Sequence, residues 1–162
     1  MVYIRLKNII DESFQDYKKP SMMLAMCKCD WKCLKEQCLD YSICQNSELA
    51  KQENINTPIN AIIKRYVTNP ITQSIVIAGL EPMLQFIEIK EFVKEFRVVS
   101  EDDIVIYTGY YPNEIKDEIN HLKQFKNIII KFGRYMVGSE KKYDNVLGVW
   151  LMSDNQYAVK IS

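Results

Sequence analysis

No apolar run in the 162-residue chain approaches the roughly 18 residues of a membrane span, so it offers no candidate transmembrane helix. Neither charge is in surplus. Lys+Arg and Asp+Glu both number 21, which removes any general electrostatic pull toward nucleic acid or acidic membranes, and neither is an expected partner. Histidine occurs once, at His121 on the exposed face of an expected helix, and no catalytic role is assigned to it. There is no internal repeat, low-complexity tract or interdomain linker, and the length suits one domain over residues 1–162. The opening stretch MVYIRLKNIIDES carries charge throughout and lacks the apolar core of a signal peptide. The expected location is therefore cytoplasmic, where structural disulfides are rare.

Cysteine is missing from most of the chain and crowded into one place. The stretch MCKCDWKCLKEQCLDYSICQN (26–46) holds Cys27, Cys29, Cys33, Cys38 and Cys44, and there are no others. A pure disulfide framework would leave one of them unpaired, so metal binding or thiol chemistry is the better expectation. A structural zinc site wants four thiolates, usually as two close pairs. The spacings Cys27-x-Cys29, Cys29-x3-Cys33, Cys33-x4-Cys38 and Cys38-x5-Cys44 supply no second C-x2-C knuckle. One or two of the five can be buried as small hydrophobes. The remaining reading is an iron–sulfur cluster on three thiolates, which leaves one iron without a protein ligand.

Elsewhere apolar strands alternate with amphipathic helices. SMMLAM (21–26) reads as a first strand that ends at the cysteines. In TPINAIIKRYV (57–67), Ile59, Ile62, Ile63, Tyr66 and Val67 recur at helical spacing, with Thr57 placed to cap and Pro58 suited to the first turn. SIVIAG (74–79) reads as a buried strand, and a helix after Pro82 turns Phe86, Ile89, Val93 and Phe96 inward. DIVIYTG (103–109), NIIIKFG (127–133) and VLGVWLMS (146–153) read as further strands. PNEIKDEINHLKQF (112–125) reads as a helix with Ile115, Ile119 and Leu122 on one face, and a short YAVKIS ends the chain. Such alternation implies right-handed crossovers and a parallel sheet with helices outside. Five or six strands are too few for an eight-stranded barrel. The expected fold is α/β, a partial, open (β/α) barrel with a curved, mostly parallel sheet.

Ligands of parallel α/β sheets sit at the carboxyl ends of strands. The cysteines fall at one such end, GLEP (79–82) at the next, then TGYY (108–111), KFGR (131–134) and SDNQ (153–156). Five polar stretches on one rim point to a site there.

The words around the cysteines carry a resemblance. Cys29-Asp30-Trp31-Lys32-Cys33 matches the C-x3-C that opens the cysteine motif of radical S-adenosylmethionine (SAM) activating enzymes, and Cys44-Gln45-Asn46 resembles the C-x-N that closes it. AGLEPMLQ (78–85) resembles the family's GGEP segment, IYTGYYPNEI (106–115) its TGY segment, and GVWLMSDNQYAVKI the C-terminal SSNQ segment of anaerobic ribonucleotide reductase activating proteins. The likeness covers roughly residues 20 to 161. It departs in four places. Position 36, where the family's C-x3-C-x2-C has its third cysteine, is Glu36; Ile43 replaces an aromatic; Leu80 replaces the second glycine of GGEP; and the GPG that precedes strand one in those activating proteins is absent from DYKKPSMM (16–23).

The resemblance implies a radical SAM domain with Cys29, Cys33 and Cys44 holding a 4Fe-4S cluster; the roles of Cys27 and Cys38 stay open, and Cys38 is an alternative third ligand. It implies SAM as the second cofactor, with Gly79, Leu80 and Glu81 near its methionine part, Glu81 reading equally as a helix-terminal acid. Thr108 and Tyr110 are placed to meet a ribose or a partner backbone, and Ser153, Asn155 and Gln156 to close the rim or cap a turn. Lys131 and Arg134 read as carboxylate partners or, more simply, as solvated loop charges. The implied activity is SAM cleavage that generates a glycyl radical on a partner anaerobic ribonucleotide reductase, with a flavodoxin- or ferredoxin-type electron donor. The alternatives are a radical SAM enzyme acting on another protein or peptide, and a non-catalytic module stapled by zinc.

Overall fold

In the computed structural model, which describes residues 1–162, the apolar runs pair side by side as the centre of one sheet. β1 (Tyr3–Ser13), β2 (Ser21–Met26), β3 (Ile55–Pro58), β4 (Ser74–Gly79), β5 (Asp103–Tyr107), β6 (Ile128–Phe132) and β9 (Tyr157–Lys160) form a seven-stranded sheet in the order β3-β1-β2-β4-β5-β6-β9. β2, β4, β5 and β6 are parallel to one another, while β1, β3 and β9 add antiparallel pairings at the flanks. The sheet is therefore mixed and not closed into a barrel. No helix is long and apolar enough to cross a membrane.

Each parallel connection moves one strand over in the same direction, and right-handed crossovers of that kind put their helices on one face. α3 (Ile59–Val67), α4 (Phe86–Val99) and α5 (Lys116–Leu122) accordingly share a core with Ile75, Ile77, Ile104, Ile106, Ile128 and Ile130. The alternate strand residues Val76, Ala78, Val105 and Ile129 face the other side. There they pack against Tyr17 and against Leu147 and Leu151 of a separate hairpin, β7 (Lys142–Asp144) with β8 (Val149–Leu151).

Several expectations change. The charged N-terminus forms the longest strand, because its charges alternate with Ile4 and Leu6, which are fully buried. Thr57 and Pro58 belong to β3, Pro58 sits at the start of α3, and no side chain caps that helix. Val67 is exposed at the helix end, whereas Phe92, which the sequence reading passes over, is fully buried in α4. The stretch 146–153 is no strand of the main sheet; only Val149–Leu151 is extended there, and β9 takes the edge position instead. Asp144 explains the detour. Its carboxylate accepts the backbone N–H groups of Val146, Leu147 and Ala158, which folds the hairpin back onto β9. 3-10 turns at Pro82–Gln85 and Pro112–Glu114 precede α4 and α5, and the helix expected over 112–125 is confined to Lys116–Leu122.

Candidate functional site

Where β2, β4, β5 and β6 end, a cavity of about 220 Å³ opens on the face away from the helices. Its floor is set by strand alternation: Met23, Ala78, Tyr107 and Lys131 all point to that face. Its wall is the cysteine segment.

That segment leaves β2 at Met26 and is caught at once. The Gln85 side chain accepts Cys27 N–H at 2.8 Å, and Glu81 N–H donates to the Lys28 carbonyl at 2.6 Å. Trp31 adopts a left-handed φ of 58° and starts α1 (Lys32–Lys35), whose Leu34 is buried. A 3-10 turn at Tyr41–Ile43 follows, capped by the Asp40 carboxylate, and then α2 (Ser47–Lys51). Cys29 Sγ accepts Trp31 N–H at 3.3 Å, and Cys44 Sγ accepts Asn46 N–H at 3.4 Å. The Asn46 amide donates to the Gly79 carbonyl at 2.6 Å, tying the far end of the segment to β4.

The result brings Cys29, Cys33 and Cys44 into one cavity. Cys27 faces an outer groove, which Cys29 also borders, and Cys38 is exposed on the turn after α1. Burial pushes the Cys29 thiol up to about 12. Cys33 is raised by burial and then by the facing charge of Cys44. Left alone, such thiols stay protonated. Only a positively charged partner makes them thiolates, with release of protons as it binds. No three His, Cys, Asp or Glu side chains converge tightly enough to hold a single metal ion. A cubane makes a different demand, because its thiolates bind separate irons and stand further apart. The donor set fits a 4Fe-4S cluster with one iron left without a protein ligand.

Gly79, Leu80, Glu81 and Thr108 line the same cavity. Glu81 is 6% exposed, and its carboxylate is already engaged. It accepts Met83 N–H at 3.0 Å, Thr108 Oγ1–H at 2.7 Å and Gly109 N–H at 2.9 Å. It thus caps the turn at Pro82 and at the same time clasps β4 to β5. Burial raises its pKa, against the pull of those donors and of Lys131. Lys131 is buried rather than solvated. Its ammonium donates to the Thr108 and Gly133 carbonyls at 3.3 and 3.2 Å, and burial lowers it to about 8.

Tyr110, Ser153 and Asn155 do not line the cavity. Tyr110 Oη donates to Asp30 at 2.6 Å, and Ser153 Oγ accepts Met136 N–H at 2.8 Å. The Asn155 amide nitrogen donates to Tyr111 Oη and to the Arg134 carbonyl, both at 2.9 Å, while its Oδ1 is buried without a partner. Gln156 does reach the cavity, where its amide nitrogen donates to the Gly133 carbonyl at 3.3 Å. Arg134, expected as a solvated or ligand-facing charge, is buried off the cavity and paired with two carboxylates. Asp16, Met23, Tyr107 and Tyr135 line the cavity without having been singled out from the sequence. For Met23 and Tyr107 the signal was available: they lie two residues from Ala25 and Val105 on strands whose alternate faces are both apolar.

A family model described as a 4Fe-4S single cluster domain matches residues 21–159. No curated protein and no solved structure matches the chain.

Proposed function

The chain belongs to the 4Fe-4S single cluster domain family, and on that premise we propose that it is a radical SAM activating enzyme. The observation that carries the reading is the convergence of three thiols, and not four, on a cavity walled by GLEP at the carboxyl ends of parallel strands. A cluster held there by Cys29, Cys33 and Cys44 would leave one iron open to the amino and carboxylate groups of SAM and would supply the electron that splits the sulfonium into methionine and a 5′-deoxyadenosyl radical.

The chain's own residues do the rest. Cys29, Cys33 and Cys44 hold the cluster against the wall. Gly79 lets the backbone come close: at its φ of 92° a side chain would meet the Cα of Ala25 at 3.2 Å. Glu81 rigidifies the strand ends through Thr108 and Gly109 and leaves the neighbouring backbone free to face SAM. Lys131 is the buried cation on the opposite side, balanced by Glu81. Leu80, Tyr107 and Tyr135 exclude water from the space between. The cavity opens at the carboxyl ends of the strands, which suits a target presented from outside. The target proposed is a glycine loop of a partner protein of the anaerobic ribonucleotide reductase type, with an electron donor of the flavodoxin or ferredoxin type.

The test is anaerobic reconstitution with iron and sulfide, followed by SAM and a strong reductant, with and without a candidate reductase. 5′-Deoxyadenosine should form, faster with the partner, and a glycyl radical should appear in the partner's electron paramagnetic resonance spectrum. A reconstituted brown protein that leaves SAM intact would refute the SAM chemistry. 5′-Deoxyadenosine without a radical on any reductase would move the target to another protein or peptide.

A further inference from the structure

The segment that presents the three cavity thiols has little regular structure, only the four-residue α1 and a three-residue 3-10 turn between Cys29 and Cys44. Besides the anchors at its two ends, its middle is held from the side by one guanidinium. Arg134 lies just past β6, with its side chain 5% exposed. Its Nε and Nη2 donate to the two carboxylate oxygens of Glu36 at 3.0 Å each. Nη1 and Nη2 donate to those of Glu114 at 2.6 and 2.7 Å, and Nη1 also to the Gly109 carbonyl at 2.7 Å. The rings of Tyr110 and Tyr111 lie 5.7 and 5.1 Å from it.

The same group reaches the other side of Cys33. Glu114 accepts the Lys32 ammonium, and Tyr110 Oη donates to Asp30 at 2.6 Å. Asp30, Lys32 and Glu36 therefore bracket Cys33, and each is fastened to the β5–α5 connection or to Arg134 just past β6. Two cations and two carboxylates make the Arg134, Lys32, Glu36, Glu114 group neutral, so its action on the cavity is positional rather than a long-range field. Glu36 occupies the position at which a C-x3-C-x2-C motif would carry a sulfur, yet its side chain does not line the cavity.

We propose that Arg134, Glu36 and Glu114 form a positioning clamp that seats Cys33 for cluster binding and stands in for the short ligand loop that is absent here. The proposal rests on Cys33 being a cluster ligand. The clamp is made of protein alone, so it exists before any iron arrives. A bidentate fork on each carboxylate gives the geometric restriction that a single lysine contact would not.

The test compares full-length wild type with Glu36→Gln and Arg134→Lys in three measurements: iron loss to a chelator after reconstitution, alkylation of individual cysteines in the iron-free chain by mass spectrometry, and the iron-free thermal midpoint. Glu36 is half exposed, so Glu36→Gln should leave the iron-free midpoint close to wild type. Iron loss should nevertheless quicken by roughly 10–100-fold, the usual cost of losing an outer partner of a metal ligand. Cys33 should be alkylated faster while Cys38 keeps its rate. Arg134→Lys, which keeps the charge and loses the forks on both carboxylates, should quicken iron loss and Cys33 labelling at least as much. Unchanged iron retention together with unchanged Cys33 labelling in Glu36→Gln would overturn the clamp. So would equal acceleration at Cys33 and Cys38, which reports general loosening. Failure of wild type to take up iron would strike the ligand assignment instead, and the labelling ratio would then decide the clamp by itself.

Discussion

Replacing Gly79 by alanine tests how closely the site is built against the sheet. Gly79 ends β4 with φ 92°, a conformation that costs an L-residue about 1–2 kcal/mol. A Cβ there would also lie 3.1 Å from Leu49 Cδ2, 3.2 Å from Ala25 Cα and 3.3 Å from Ala25 Cβ. The Leu49 methyl can swing away. The Ala25 backbone cannot, because β2 is hydrogen-bonded to β4 along its whole length. Overpacking of that kind adds about 1–3 kcal/mol, for a total of about 2–5 kcal/mol. In a chain of this size each kcal/mol lowers the thermal midpoint by about 2–4 °C, so a drop on the order of 10 °C is expected. The shift should also reach the cysteines, since the Gly79 carbonyl holds Asn46, two residues after Cys44.

A control separates the two contributions. Gly138 has φ 80° and nothing within 4 Å of its added Cβ, so Gly138→Ala carries the conformational cost alone. Thermal or urea unfolding of the iron-free variants, followed by circular dichroism, gives both values. Gly79→Ala should lose clearly more stability than Gly138→Ala, and after reconstitution it should release iron faster. Equal losses would mean that β4 and β2 have slack at their ends, and the close-approach reasoning would fail.

Two further outcomes follow from the same structure. Cys29→Ala, Cys33→Ala and Cys44→Ala should each abolish the visible absorbance and bound iron of the reconstituted protein, whereas Cys38→Ala should keep both; loss in Cys38→Ala with retention in Cys44→Ala would exchange the third ligand. Behind the start of the cysteine segment, burial pushes the Glu88 carboxyl up, but hydrogen bonds from the Arg5 backbone and guanidinium and from Gln85 outweigh it and the net shift is downward. Its stabilisation is thus complete above the unfolded value of about 4.3 and fades as pH falls through the lower folded value. Glu88→Gln should cost about 1 kcal/mol in urea unfolding at pH 7 and progressively less as pH falls below the unfolded value, and a pH-independent cost would assign the effect to packing.

The sheet's centre was legible because its strands are short, apolar and separated by helical spacing. SIVIAG and NIIIK can be little else. The flanks were not. Tyr3–Ser13 carries charges at positions that an antiparallel strand exposes, and a search for apolar runs passes over it; period-two alternation of Ile4 and Leu6 was the available signal. The 146–153 stretch misleads for the opposite reason. It is apolar, but a turn at Gly148 with φ 72° and the Asp144 carboxylate divert it into a hairpin that covers the inner face. Which residues aim at that face follows from register, and register depends on long-range pairing that a local pattern does not contain.

The cysteine spacing is the harder case, and it shows what spacing can and cannot carry. Ten residues separate Cys33 from Cys44. Contour length matters little once both ends are fastened, since extra loop length costs only about 0.6 kcal/mol per doubling. Here the ends are fastened independently: Cys29 through the Lys28 carbonyl on Glu81, Cys33 through buried Leu34 and the Glu36–Arg134 pair, Cys44 through Asn46 on Gly79. Between them only Gln37 is strongly held, by the Tyr135 and Val137 backbone. Tyr41, Ser42 and Ile43 stand exposed, outside the cavity. The residues that decide where the sulfurs meet are therefore the neighbours Asp30, Lys32, Glu36 and Asn46, whose partners lie 33 to 98 positions away. A motif written only in cysteines omits them. The position at which it expects a third sulfur carries, in Glu36, an anchor for the loop.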